Sequence, residues 1–176
     1  CSDDQFEGAL CCSNGMEGTA ARSAFWFHAQ VSVRDEGSRK PAAWWGAGSR
    51  HRGTLPPAAE VGREATRRAL AQVGAKPHGT GEYACVIENV AAGRLIGALF
   101  EAVEGAAVQQ QRSFLAGKIG QRIGSAAFTV ADDPHVVAGL GSRYYDGEGM
   151  AARPRPVFER GVLRSYYLDT YYARKL

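Results

Sequence analysis

The chain has 176 residues, 45% of them apolar and 22% charged, which is the composition of a folded globular protein rather than a disordered one. Mean hydropathy is −0.27, and no apolar run approaches the roughly 20 residues a bilayer-spanning helix needs, so a membrane partner is not expected. The 21 basic and 18 acidic side chains are spread evenly along the sequence, without the one-sided basic patch that marks a nucleic-acid partner.

The chain opens on Cys1-Ser2-Asp3-Asp4 and ends on Ala173-Arg174-Lys175-Leu176, in the middle of what reads as a helix. Neither end carries a terminal signature or a signal peptide, and an incomplete chain is expected. Cys1, Cys11, Cys12 and Cys85 form no C-x-x-C or Cys/His zinc spacing, so reduced thiols of a cytoplasmic protein are expected.

Taken in chain order, Cys12-Ser13-Asn14-Gly15 is a turn, because Asn-Gly accepts left-handed backbone angles. From Ala24 to Arg34 the pattern alternates. Phe25, Phe27, Ala29, Val31 and Val33 share one face, and Trp26, His28, Gln30, Ser32 and Arg34 the other. That is a half-buried strand, joined through Asp35–Ser38 to a second extended piece at Trp44-Trp45 as an antiparallel hairpin. Pro56-Pro57 opens a helix of roughly 16 residues with Val61, Ala65, Ala69 and Val73 as its apolar stripe and Gly74 as its stop. Glu64 precedes Arg68 by four residues, the favourable order for a helical ion pair.

Residues 77–81, Pro-His-Gly-Thr-Gly, read as a linker between a first domain over 1–76 and a second over 82–176. Beyond it come a strand from Tyr83 to Ile87, a helix from Asn89 to Glu104, a helix from Ser113 to Ile123 and a strand from Ala126 to Val130. The Asn89–Glu104 helix is apolar around most of its circumference and is expected to be largely buried, with Gly93 and Gly97 admitting a close neighbour. Asp132–His135 is a loop and Tyr144–Gly149 a turn; Val157–Leu163 is a tight hairpin continuing into a strand over Ser165–Leu168. Helices and strands mix without regular βαβ alternation, so the expected fold class is α+β with mainly antiparallel sheets and packed helices.

Chemistry is sparse. His28, His51, His78 and His135 are too far apart for a helical zinc motif, and G-x-S-x-G is absent. Gly46-x-Gly48, Gly139-x-Gly141 and Gly147-x-Gly149 are too short for a phosphate loop and read as turns. Asp146 and Glu148 offer two carboxylates in one turn, where a cation or a nearby Arg143 or Arg153 would pair with them.

Several blocks nonetheless share one order and spacing: Ala92–Gly97, Gln109–Ala116, Lys118–Gly120, Asp132–His135, Gly139–Ser142, Tyr145–Gly149, Glu159–Leu163 and Leu168–Leu176. They resemble the TldD/PmbA family, and within it the TldE (PmbA) branch. A weaker likeness upstream, at Ser13-Asn14-Gly15 and the aromatic strand, matches the family's middle domain. The resemblance implies part of that middle domain followed by the N-terminal part of the C-terminal domain, in a family whose members are more than twice this length.

It also implies a cytoplasmic metalloprotease built from TldD and TldE subunits, acting on unfolded or extended peptides such as peptide precursors and antitoxins. In the TldD branch a helix carries H-E-x-x-x-H. On this chain the matching positions are Glu88, Asn89 and Gly93, so neither the metal ligands nor the catalytic base is expected. The implied role is a partner subunit with no cofactor of its own and no catalytic residues, a zinc-type metal residing in the TldD-like partner. Two alternatives stand beside it: a stand-alone hydrolase with an atypical site, and a non-enzymatic peptide- or protein-binding module. The last would be favoured if the Ala24–Arg34 strand lay at a sheet edge.

Overall fold

The computed structural model describes residues 1–176. The chain divides into two compact units, one of residues 1–81 with 136–142, the other of 82–135 with 143–176. The fold class is α+β, with antiparallel ladders in both sheets.

The first unit is a three-stranded sheet carrying one helix. Strands β1 (Ser2–Cys11), β2 (Glu17–Ser32) and β3 (Ala42–Ser49) pair in that order, with β2 central. The Asn-Gly turn joins β1 to β2, with Gly15 at φ 87°. Alternation along β2 is as the sequence predicts. Phe25, Phe27, Ala29 and Val31 are half-buried, while Trp26, His28, Gln30 and Ser32 are exposed. β1 pairs with β2 over Glu17–Trp26 and β3 over Phe25–Ser32, so only Phe25 and Trp26 have a neighbour on each side, and Phe27–Ser32 is a sheet edge on the β1 side. Strand β1, with its acidic Asp3, Asp4 and Glu7, carries no alternating apolar signal and escapes sequence reading.

Gly46 and Gly48 are not turn residues. They lie within β3, where a Cβ would meet His28 Cβ at 2.9 Å and the Trp26 ring at 2.2 Å respectively. Glycine at 48 lets the Trp26 ring lie across the neighbouring strand, and glycine at 46 lets the two backbones approach closely beside His28.

Helix α1 (Ala58–Leu70) lies on the inner face of this sheet, burying Val61, Ala65 and Ala69 completely. It is shorter than predicted, and Val73 is 43% exposed. Gly74, at φ 71°, follows a final turn that Asp35 and Arg39 hold in place: the Gly74 N–H donates to Asp35 Oδ2 at 3.1 Å, and Arg39 Nη2 donates to Gln72 O at 3.3 Å. Those donors, with the Glu36 N–H first among them, hold the Asp35 carboxyl below its ordinary pKa. Arg68 spans the helix–sheet gap, its guanidinium 4.1 Å from the Trp45 ring centre and its Nε 2.8 Å from Glu64 Oε1.

The second unit departs further from expectation. Residues 82–88 form no strand, because no strand runs beside them; Tyr83, Val86 and Ile87 are all exposed, and Val86 completely so. Helix α2 (Asn89–Val103) forms where predicted, yet only Ala102 and Val103 at its end are buried. Val90 and Leu95 are about half exposed, and Gly93 and Gly97 have no heavy atom within 4 Å of where a Cβ would stand. The expected all-round burial fails because only the C-terminal end of α2 meets the core of its unit.

A short helix α3 (Gly105–Gln109) follows. The predicted helix over Ser113–Ile123 is instead a run of turns. Its apolar period of four is genuine, but Gly117 and Gly120 adopt φ of 71° and 81°, which no right-handed helix accepts. Ser113, buried, anchors the run: its hydroxyl donates to Ala102 O and accepts from the Leu115 N–H at 2.9 Å. That seats Leu115 fully within a core of Ala102, Val103, Val157, Phe158 and Leu163.

The core is closed by β4 (Val130–Asp132), β5 (Arg155–Glu159) and β6 (Val162–Leu163). The β5–β6 turn has Arg160 and Gly161 at φ 49° and 78°, the two-residue form that matches strand twist. A Cβ on Gly161 would fall 2.2 Å from Gly124 O, so glycine is obligatory. The strand predicted over Ala126–Val130 begins only at its last residue, and Ser165–Leu168 forms only a single parallel bridge, Glu104 to Tyr167. The last element is helix α4 (Thr170–Ala173), capped by Asp169 accepting from the Tyr172 N–H at 2.7 Å.

Candidate functional site

The three positions singled out by the sequence lie together at the start of α2. Glu88 is the cap residue, extended at φ −62° and ψ 143°, and its carbonyl accepts from the Ala91 and Ala92 N–H groups at 2.9 Å each. Asn89 begins the helix, and Gly93 follows one turn later; all three are exposed. On a helix of 3.6 residues per turn, Asn89 and Gly93 share a face. This set offers one carboxylate, one amide and one absent side chain. A zinc-type ion takes three or four imidazole, thiolate or carboxylate ligands, so these residues do not fit one. No group of three or more His, Cys, Asp or Glu side chains elsewhere has a geometry suited to a metal.

What sequence reading missed is a cleft of about 590 Å³ in the second unit, bounded by α3, α4, the end of β4, the start of β5 and the Asp146–Gly149 turn. Asp132 is its hinge of charge. Its Oδ2 pairs with Arg143 Nη2 at 2.8 Å and lies 3.8 Å from Arg155 Nε. The Arg155 guanidinium stacks 4.0 Å from the Tyr167 ring centre. Burial, reinforced by the Asp132 carboxylate, pushes the Tyr167 hydroxyl above its ordinary pKa. Only Asp132–His135, read as a loop, signalled this cluster in the sequence; its partners lie 11, 23 and 35 residues further on, and only folding assembles them.

The two carboxylates of the Gly-rich turn are engaged locally. Asp146 Oδ1 accepts from the Glu148 and Met150 N–H groups at 2.9 Å each, closing the turn on itself. Glu148 Oε2 accepts from the Thr170 N–H at 2.9 Å and Oγ1 at 3.0 Å, tying the turn to α4. They are structural acceptors rather than a pair held for a cation. Gly149, at φ 78°, confirms a turn here.

Residues 80–176, more than half of the chain, match the model of the PmbA/TldA metallopeptidase C-terminal domain. The chain belongs to the TldD/PmbA family. The metalloprotease PmbA of Escherichia coli O157:H7 is 31% identical over 116 residues, which are 66% of this chain and 26% of that protein. A metalloprotease of Methanocaldococcus jannaschii is 36% identical over 104 residues, 58% of this chain and 23% of that one. The chain thus spans about a quarter of the length of these TldD/PmbA relatives.

Among solved structures, one from Bacteroides thetaiotaomicron, described as a candidate modulator of DNA gyrase, matches with a TM-score of 0.87 and 36% identity over 93% of this chain and 37% of that one. TldE from Thermococcus kodakarensis matches with a TM-score of 0.71 at 23% identity over 92% of this chain and 36% of that one, a likeness of fold. The relatives' names carry metal-dependent proteolysis as a property of the TldD/PmbA family. No helix of this chain is long and apolar enough to cross a membrane.

Proposed function

We propose that this chain belongs to a TldE/PmbA-like subunit that works beside a TldD-like partner in a cytoplasmic metalloprotease acting on unfolded or extended peptides, including peptide precursors and antitoxins. What supports the reading is the chemistry at the head of α2: the family resemblance sets Glu88, Asn89 and Gly93 at the positions of the TldD branch's metal ligands and base, and together they offer one carboxylate, one amide and no imidazole. The metal then belongs to the partner, and this chain contributes walls and contacts rather than a bond-breaking step. In the same reading, residues 1–76 are part of the family's middle domain, 77–81 the linker, and 82–176 the N-terminal part of its C-terminal domain, with which the family match over 80–176 agrees.

The binding-module alternative is favoured by one observation, that the Phe27–Ser32 stretch of β2 pairs with β3 alone and has no strand on its other side. The test is co-purification of the full-length protein with a TldD-like chain from the same genome, followed by metal analysis of each subunit. A stable heteromer with stoichiometric metal confined to the TldD-like chain is expected. Stoichiometric metal in this protein alone, or peptidase activity without the partner, would overturn the reading.

A further inference from the structure

The cleft of the second unit holds arginines that its own carboxylates leave largely unsatisfied. Five carboxylates and three guanidiniums line it, and most of the carboxylates are engaged. Asp132 accepts from Arg143, Asp146 from the N–H groups of its own turn, Glu148 from Thr170, and Asp169 from the Tyr172 N–H. Glu104 is the exception, with a carboxylate that has no such partner.

The guanidiniums divide differently. Arg143 is committed to Asp132 Oδ2 at 2.8 Å, and that same oxygen is 3.8 Å from Arg155 Nε. The face of the Arg155 fork rests 4.0 Å from the Tyr167 ring centre, which fixes its plane. Arg153, two residues earlier, lines the same cleft and makes no ion pair or hydrogen bond. One exposed, unpaired arginine is ordinary. Two weakly committed forks on one cleft of about 590 Å³ make a receptor for a pair of anionic oxygens.

The wall behind them is firm. The Gly105 N–H donates to Tyr167 O at 2.7 Å, and the Tyr167 N–H to Val103 O at 2.8 Å. A Cβ on Gly105 would stand 2.8 Å from Tyr172 Cβ, so backbone and ring are closely packed there. Charge then selects among anions. With Glu104 unpaired and the lining negative overall, a dianion such as phosphate meets a repulsion that a singly charged carboxylate largely escapes. A carboxylate also matches the planar guanidinium fork, and Ala106, Ala151, Ala152 and Leu168 offer apolar wall for a side chain beside it.

We propose that this cleft binds the C-terminal α-carboxylate of a peptide, with Arg155 and Arg153 as its anchors. This rests on the reading of the chain as part of a peptidase and names the end of the peptide that the subunit holds.

The test uses the full-length subunit without its partner, so it does not depend on heteromer formation. N-acetyl-tetra-alanine with a free C-terminal carboxylate, and the same peptide as its C-terminal amide, are titrated by calorimetry. The acid should bind at least about tenfold more tightly than the amide, as expected of hydrogen bonds to a charged group. Equal affinities, or no binding of the acid, would overturn the proposal.

Arg153→Ala, at an exposed position, should keep the melting temperature and weaken binding of the acid about tenfold or more. An unchanged affinity overturns the proposal. Arg155→Lys keeps the charge without the planar fork and should lose a similar factor; full affinity there would show that no fork is used. Inorganic phosphate should displace the acid no better than acetate does, and stronger displacement would mark a phosphate site instead. Each of these failures leaves the heteromer and metal test standing, so the two readings fail separately.

Discussion

Helices α1 and α2 invert the usual relation between composition and burial. α1 is rich in Arg and Glu and offers only Val61, Ala65 and Ala69 to its neighbour, yet all three are fully buried. α2 carries Val90, Leu95, Ile96, Leu99, Phe100 and Val103, yet its first half is exposed. The difference lies in what each helix faces. α1 lies along a three-stranded sheet whose inner side chains meet a narrow stripe of small residues. α2 touches its unit's core only at its C-terminal end. Apolar composition states what a helix can bury; a neighbouring element decides what it does bury.

The comparison can be broken most severely in the core that α2 does reach. Phe158 is fully buried and tilts against Phe128 with ring centres 5.2 Å apart. Phe158→Ala should cost about 3–5 kcal/mol by denaturant titration. A loss below about 1 kcal/mol would mean that the second unit has no such core.

A smaller loss is expected from Ala65→Leu on α1. Ala65 is fully buried, and overpacking such a position costs about 1–3 kcal/mol. If the variant is as stable as the parent, α1 is less closely seated than described.

Gly93→Ala on α2 should act in the opposite direction. With open space around the position and glycine unfavourable within a helix, alanine should stabilise the 176-residue chain by about 0.5–1 kcal/mol. The same substitution in the full-length protein sharpens the contrast: destabilisation there would reveal that another element packs on this face.

The smallest effect concerns pH. The hydrogen bond from Arg67, aided by Arg68, lowers the Glu64 carboxyl from an ordinary 4.5 to about 2. A group whose folded pKa is depressed adds stability above its unfolded value and loses that stability as pH falls through the folded one. The Glu64 contribution should therefore be complete above about pH 5 and fade between roughly pH 4.5 and 2. Glu64→Gln should flatten that part of an acid titration followed by circular dichroism. The change will be modest because the pair is solvent-screened, and an unaltered profile would show that the pairing contributes nothing.

The site shows where sequence reading stops. The helix that begins at Asn89 was legible because its apolar run and its start are matters of spacing, which can be read without knowing what surrounds them. The Asp132–Arg143–Arg155–Tyr167 cluster was not, since four residues scattered over 36 positions become a cleft wall only when β4, β5 and the bridge at Tyr167 bring them together. Two of the failed predictions in the second unit have separate physical causes. Period-four apolar spacing over Leu115, Ile119 and Ile123 promised a helix, and the apolar run at 83–87 promised a strand. Helical hydrogen bonds require uninterrupted right-handed angles, which Gly117 and Gly120 abandon, and strands require a partner, which 82–88 lacks.

By itself the sequence determined the α+β class, the alternating β2 strand and its hairpin to β3, the α1 stripe, the β5–β6 turn and the family. Each of these rests on interactions between residues near in sequence or on an ordered set of motifs. Only the tertiary structure decided which apolar faces are covered, that Gly46 and Gly48 yield space to Trp26 and His28, and that Arg155 rests on Tyr167 at the cleft. Those outcomes depend on contacts between distant segments, whose closure entropy and steric fit leave no local periodic mark in the chain.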